Sequence, residues 1–211
     1  SKYDCVIGVS GGTDSSYLLY IAVKYGLKPL AVHYDNTWDT AIASSNIRKV
    51  LDALNIDLYT WVISNKESED LLRSFFLASV SELEAPTDLA IAEVLYRAAD
   101  KYKIKYILEG HSFVAEGITP LNNNYFDGKY IQDIHQKFGN LKKLYTYPLM
   151  TLTKFLKWSC ISRIKRIRPF WYLDYSKQEA MKILKEKFDW KYYSLSIQYN
   201  SNVLYLQSYY M

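Results

Sequence analysis

The chain has 211 residues, of which 49% are hydrophobic and 23% are charged. This composition excludes a disordered chain and is typical of a globular protein with one sizeable core. The net charge of +4 is too small to decide between nucleic acid and phosphorylated small molecules as partners. With no long apolar run and no signal-peptide pattern, we predict a cytoplasmic protein without membrane association. The two cysteines, Cys5 and Cys160, lack C-x-x-C spacing and lie in apolar contexts, so we predict buried thiols in a reducing compartment, with a disulfide as the alternative.

The opening stretch carries the strongest local signal. A β-rich run at residues 4–9 precedes Ser-Gly-Gly-Thr-Asp-Ser-Ser and then an apolar-periodic run closed by Gly26, which predicts strand, tight turn and helix. Two adjacent glycines allow positive φ and can turn several N–H groups toward one point, to which the helix start adds its own. We predict a phosphate-binding loop formed by Ser10, Gly11, Gly12, Thr13, Asp14, Ser15 and Ser16. The alternative is an ordinary turn capped by Asp14 or Ser15.

Strands and helices alternate after this loop, which predicts an α/β fold with an open parallel sheet and right-handed crossovers. The predicted strands are 29–34, 58–63 and 105–108, and the predicted helices are 40–54, 68–80 and 89–102, the last capped by Thr87 or Asp88. Ligands of such sheets lie beyond the carboxyl ends of the strands. We therefore expect the loop, Asp35 and residues 109–112 to share one crevice.

The second half of the chain is less regular. Residues 113–139 are rich in turn formers and aromatics, and predict either a substrate-recognising loop or lid, or an ordinary surface excursion. The sequence predicts a helix at residues 151–166 with interleaved basic and aromatic side chains. It predicts that this helix is followed and ended by an extended segment at residues 168–170. Ser176 and Glu179 predict a capping box that opens a helix to about Phe188.

Ser10-Gly-Gly-Thr-Asp-Ser15 resembles the S-G-G-x-D-S pyrophosphate loop of the N-type ATP pyrophosphatases, or PP-loop enzymes. These enzymes cleave ATP to AMP and pyrophosphate while adenylating a carbonyl oxygen. Further blocks, in unchanged order, resemble the N-acetyl sugar amidotransferases of bacterial surface-polysaccharide and lipopolysaccharide biosynthesis. These blocks are 32–38, 109–112, 116–121, 125–131 and 166–172, and the likeness runs from residue 3 to about residue 193.

The resemblance implies an adenine nucleotide alpha hydrolase-like, Rossmann-like sheet with helices on both faces, a long irregular insertion and a helical C-terminal part. It implies that ATP with Mg²⁺ adenylates the acetamido oxygen of a nucleotide-linked N-acetyl sugar, and that ammonia then displaces AMP to leave an acetamidino group. The implied partners are a separate glutaminase and a cyclase-like subunit that supply ammonia; a homo-oligomer stays open. We divide the chain into an ATP-binding core (1–112), an insertion completing it (113–150) and a basic C-terminal segment (151–211).

The resemblance also suggests roles for individual residues. Catalysis would rest on Asp14, Ser15, Arg166 and Arg168, with the two arginines as a cationic clamp on phosphate. Besides the loop, Asp35, Glu109, Gly110 and His111 would contact ATP, while Asp127, Lys129 and His135 would contact the sugar nucleotide. Asp14 is a candidate Mg²⁺ ligand, with helix capping as its alternative, and a plain Asp-Asn turn is the alternative for Asp35.

Two other readings stay open. A tRNA-modifying member of the superfamily, a thiolase or lysidine synthase, would use the basic segment as a nucleic-acid patch. Such enzymes generally use paired catalytic cysteines or an added tRNA-binding domain, and neither is evident. A non-catalytic ATP-binding subunit would bind nucleotide without turnover. It is favoured by two departures from the family, which predict a truncated or degenerate member: no cysteine-bearing segment precedes Ser1, and residues 194–198 replace a Gly-Gly-His-His-type stretch.

Overall fold

A computed structural model describes residues 1–110 and 127–192. Its centre is a five-stranded sheet in the order β3-β2-β1-β4-β5, in which every pair is parallel. The open parallel α/β sheet predicted from the sequence is therefore confirmed. The strands are β1 (Cys5–Gly8), β2 (Pro29–Asp35), β3 (Leu58–Val62), β4 (Tyr106–Leu108) and β5 (Lys165–Ile167).

Helices cover both faces of this sheet. Because side chains alternate across a strand, Val6 and Ile7 of β1 enter two different hydrophobic clusters. Ile7 packs with Leu18 of the first helix, and Val6 packs with Val94 of the fourth. The helices are α1 (Thr13–Lys24), α2 (Ala41–Leu54), α3 (Asn65–Leu77), α4 (Ala85–Lys101), α5 (Gly128–Phe138), α6 (Leu152–Leu156) and α7 (Lys177–Phe188).

The basic stretch at 151–166 is not one helix, and this part of the prediction is wrong. Helix α6 continues only through a π-helical turn, Lys157–Ile161, and Arg163 then adopts a left-handed φ of 53° that turns the chain. The Lys165 N–H donates to the Lys105 carbonyl at 2.8 Å and begins β5. Pairing with β4 outweighs the helical periodicity of the sequence, so Arg166 lies on a strand. Residues 169–171 form a 3₁₀ turn where an extended stop was predicted.

Other boundaries also differ from the prediction: α3, predicted at 68–80, spans Asn65–Leu77. Residues 128–138 form a helix inside the stretch predicted as loop, because Asp127 caps it and Ile131 and Ile134 bury one face. Helix α4 begins at Ala85, with Pro86 in its first turn, so Thr87 and Asp88 do not cap it. The Ser176 cap of α7 is confirmed, since its hydroxyl accepts the Glu179 N–H.

The sheet joins parts of the chain that lie far apart in sequence. Strand β5 comes from the segment predicted as C-terminal, and it pairs with β4 of the predicted core. The division at residues 112 and 150 stays a prediction. Cys5 is buried as predicted, whereas Cys160 is exposed, and both thiols are free. Within residues 1–110 and 127–192, no helix is long and apolar enough to cross a membrane.

Candidate functional site

The glycine loop joins β1 to α1, and its backbone shape requires glycine at one position. Gly11 has a φ of +73°, which side chains with a Cβ rarely adopt. A Cβ there would lie 2.8 Å from the carbonyl carbon of Ala43 and closer still to its oxygen. Gly12 is the N-cap of α1 and provides no side chain to cap the first turn, so capping by Asp14 or Ser15 is wrong. The loop thus leads into a helix start without a side-chain cap, the kind of position at which backbone N–H groups can bind an anion.

The hydroxyl groups of the loop differ in their surroundings. The Ser15 hydroxyl lies across the loop, 3.4 Å from both the Ser10 nitrogen and the Ser10 hydroxyl. It also lies 3.5 Å from the Gly12 carbonyl oxygen. Thr13 and Ser16 are buried, so they contribute to packing of the first turn. The roles predicted for these residues in ATP binding stay predictions.

Asp14 is contacted by a residue from the far end of the chain. Its carboxylate accepts the hydroxyl of Tyr175, whose ring stacks on Phe170 with centroids 4.3 Å apart. Burial and the neighbouring carboxylate raise the pKa of Tyr175 well above its ordinary value, so it stays a neutral donor. Sequence reasoning missed Tyr175, because 161 residues separate it from Asp14. No group of three or more His, Cys, Asp or Glu side chains is arranged for a metal within the described residues.

A carboxylate with two arginines lies at the neighbouring strand ends. The buried Glu109 carboxylate, just after β4, accepts Arg166 Nε at 2.7 Å and Arg168 Nε at 3.3 Å. Both arginine side chains are 39% exposed and so retain surface for a ligand. A Cβ on Gly110 would lie 3.1 Å from the Asp14 carbonyl carbon, so the end of β4 abuts the start of α1. The structure thus brings the predicted loop, Glu109, Gly110 and both arginines to one edge of the sheet.

The end of β2 contributes two side chains with different environments. The Asp35 carboxylate accepts the Thr37 N–H at 2.8 Å, which is the plain Asp-Asn turn weighed as its alternative; its contact with ATP stays a prediction. Sequence reasoning missed His33, which is buried and contacts the Val9 carbonyl and the Asp39 carboxylate, both at 2.8 Å. Burial lowers the pKa of His33, but these two partners and nearby Asp35 raise it, and the net pKa lies above the ordinary value.

The predicted sugar contacts lie on and before α5, which packs on α3. Asp127 accepts the Tyr130 N–H at 2.9 Å as the cap of α5, and Lys129 is exposed. His135 is buried, and its Nε2 lies 2.8 Å from the Asp70 carboxylate. Burial raises the pKa of Asp70, but two backbone N–H groups and His135 bring the net pKa below the ordinary value. The contacts seen for Asp127 and His135 are structural, and their substrate roles stay predictions. His111 lies outside the described residues.

The chain is similar to known proteins in sequence and in fold. No family model matches the chain. The tRNA-specific 2-thiouridylase MnmA 2 of Fusobacterium nucleatum is 26% identical over 185 residues, covering 84% of the chain and 49% of the relative. The structure of the U34-tRNA thiolase NcsA from Methanococcus maripaludis, with its [4Fe-4S] cluster, has a TM-score of 0.52 and 14% identity. That match covers 92% of the chain and 60% of NcsA.

The chain therefore spans about half the length of the curated relative that it matches. Both proteins are members of the PP-loop ATP pyrophosphatase superfamily. The chain has the adenine nucleotide alpha hydrolase-like fold expected from the resemblance.

Proposed function

We propose that the chain binds ATP at residues 10–16 and transfers AMP to a carbonyl oxygen of its substrate, releasing pyrophosphate. The observation that carries this proposal is the backbone conformation at Gly11. Its φ is positive and its surroundings leave no room for a Cβ, and both features shape the loop before α1. Such a loop can direct several N–H groups to the β- and γ-phosphates. The PP-loop membership of the similar proteins supports the same chemistry.

The chemistry requires alignment and charge more than a strong nucleophile from the protein. An amide or ring carbonyl is a poor electrophile until its oxygen becomes a phosphate ester. The enzyme must therefore place that oxygen in line with the α-phosphorus and stabilise the departing pyrophosphate. Arg166 and Arg168 suit the second task, because Glu109 orients their guanidinium groups and their side chains are partly exposed.

Asp14 fits a role toward Mg²⁺, the cation expected with ATP. Mg²⁺ commonly takes one or two carboxylates and completes its shell with phosphate oxygens and water, so a single carboxylate beside the loop is sufficient. Asp14 lies in the first turn of α1 and, among the described residues, accepts a hydrogen bond from Tyr175. Its remaining lone pairs can serve the cation, which would neutralise phosphate charge.

The substrate that we favour is the acetamido group of a nucleotide-linked N-acetyl sugar, with ammonia delivered by a glutaminase partner. The ordered sequence blocks support this choice. The placement of the cysteines supports it as well. Buried Cys5 opens β1, at the amino edge of the sheet, and burial raises its pKa to about 12. Cys160 precedes β5 in the π-helical turn. Neither thiol lies at the carboxyl edge, where a sulfur-transferring cysteine of this chain would have to act.

A uridine in tRNA is the second candidate substrate. MnmA 2 is a tRNA-specific 2-thiouridylase and NcsA is a U34-tRNA thiolase, and these comparisons favour tRNA over the sugar. The chain's basic residues at 154–168 would then contact phosphates of the nucleic acid. Such binding would weaken steeply with salt, because phosphate contacts release counterions.

Pyrophosphate release distinguishes the candidates. The protein would be given ATP and Mg²⁺ with either nucleotide-linked N-acetyl sugars plus ammonium, or unmodified tRNA plus sulfide. We expect release above background only with a sugar. Release only with tRNA would show that tRNA, the second candidate, is the substrate. ATP binding without release from either acceptor would indicate a non-catalytic ATP-binding subunit, and absence of ATP binding would refute the proposal as a whole.

A further inference from the structure

The carbonyl oxygen of Gly11 accepts two side-chain hydrogen bonds from outside the loop. Asn46 Nδ2 on α2 lies 3.2 Å from it, and the indole Nε1 of Trp190 lies 3.1 Å from it. Both donors are almost completely buried, at 1% and 3% exposure. None of the roles proposed above uses either residue.

The two donors belong to a hydrogen-bond network that joins Asn46 and Lys49 of α2 to residues 189–191 after α7; we call this network the frame. Asn46 Oδ1 accepts the Lys191 N–H at 2.9 Å, and Asn46 Nδ2 also donates to the Lys191 carbonyl at 2.8 Å. Lys49 Nζ donates to the Asp189 carbonyl at 2.7 Å and pairs with its carboxylate. Residues 189–191 are thus attached to α2 at several points, and the attachment places the Trp190 indole over the loop.

This frame fixes the direction of one peptide group. A trans peptide is planar, so the Gly12 N–H points opposite to the Gly11 carbonyl. With that carbonyl bonded to Asn46 and Trp190, the Gly12 N–H must point away from both, on the other side of the loop. The peptide lies between two glycines, whose wide range of φ and ψ would otherwise make a flipped orientation accessible. A flip would replace an N–H donor with a carbonyl oxygen, which repels phosphate.

We propose that Trp190 and Asn46 are positioning residues for the phosphate loop: they lock the Gly11–Gly12 peptide so that the Gly12 N–H is available to the phosphates. The inference rests on the proposed function, in which this loop binds the pyrophosphate end of ATP. It makes the affinity for ATP depend on a residue 179 positions further along the chain than Gly11. Neither side chain needs to touch the ligand.

The test compares two indole-to-phenyl substitutions. Trp190→Phe removes the donor to Gly11 and keeps an aromatic ring. Trp61→Phe is the matched control, because its Nε1 also donates to a backbone carbonyl, that of Thr146, at 3.0 Å and away from the loop. We expect Trp190→Phe to weaken ATP–Mg²⁺ binding about 3- to 10-fold in calorimetry, as one lost hydrogen bond allows. We expect it also to shift the ¹H–¹⁵N amide resonances of Gly11 and Gly12, while Trp61→Phe changes neither.

The outcomes separate this inference from the proposed function. Failure of the wild-type protein to bind ATP would refute the function, while the amide resonances would still test the frame. Unchanged resonances in Trp190→Phe would overturn the inference, as would an unchanged ATP affinity in a wild-type protein that binds. Loss of stability in both variants without any change in affinity would show a merely structural indole and overturn it too. Asn46→Ala, expected to weaken binding in the same direction, provides the same readings if Trp190→Phe does not fold.

Discussion

Replacing Gly11 with Ala should damage the protein more than replacing Gly26 with Ala, although both glycines have a positive φ. Gly26, with a φ of +80°, has no atom within 4 Å of a Cβ built on it. Its substitution incurs only left-handed backbone strain, about 1 to 2 kcal/mol. At Gly11 the same strain is joined by a Cβ 2.8 Å from the Ala43 carbonyl carbon, where ordinary contact begins at 3.4 Å. Overpacking of this kind adds about 1 to 3 kcal/mol.

The two effects are measured by urea denaturation and by calorimetric titration with ATP and Mg²⁺. We expect Gly11→Ala to lose about 2 to 5 kcal/mol of unfolding free energy, and Gly26→Ala about 1 to 2 kcal/mol. At a temperature where both variants are folded, Gly11→Ala should show no measurable ATP binding, because the loop backbone has moved. Gly26→Ala should bind like the wild type. Equal stabilities, or wild-type ATP affinity in Gly11→Ala, would refute the geometric argument for the loop.

Three further predictions follow from side chains around the site. Arg166→Gln removes a partly exposed cationic side chain from the carboxyl edge and should lower pyrophosphate release about 100-fold; unchanged release would confine Arg166 to a structural role. The pKa of His33 in the folded protein is raised above its ordinary value of 6.5, so the charged imidazole stabilises the fold. This stabilisation is complete at pH values below the pKa in the unfolded chain, and it is lost as the pH rises through the pKa in the folded protein. Unfolding free energy from urea titrations should thus fall as the pH rises above about 6.5 in the wild type but not in His33→Gln, and equal slopes would contradict this. His135→Ala should lose about 1 to 3 kcal/mol of stability in the same titrations at unchanged affinity for the sugar nucleotide. Weaker substrate binding at unchanged stability would instead support the substrate role predicted from the resemblance.

The loop and the parallel sheet could be predicted because their signals are local. The Gly11–Gly12 pair, the apolar run before it and the periodic run after it all lie in one continuous stretch of sequence, from residue 4 to Gly26. The strand ends at Asp35 and Glu109 followed from the same alternation. The stretch at 151–166 could not be predicted correctly, because its helical periodicity competes with pairing to β4, whose residues pair with residues 59 positions further along the chain.

The sequence by itself determined the α/β class, the position of the glycine loop and the need for glycine where the chain turns, because these depend on neighbouring residues. Only the tertiary structure decided which distant side chains support that loop. Tyr175 reaches Asp14, Arg166 reaches Glu109, and Trp190 reaches the Gly11 carbonyl. Such contacts depend on how strands and helices are packed, and no periodicity or spacing along the chain encodes a hydrogen bond between residues so far apart.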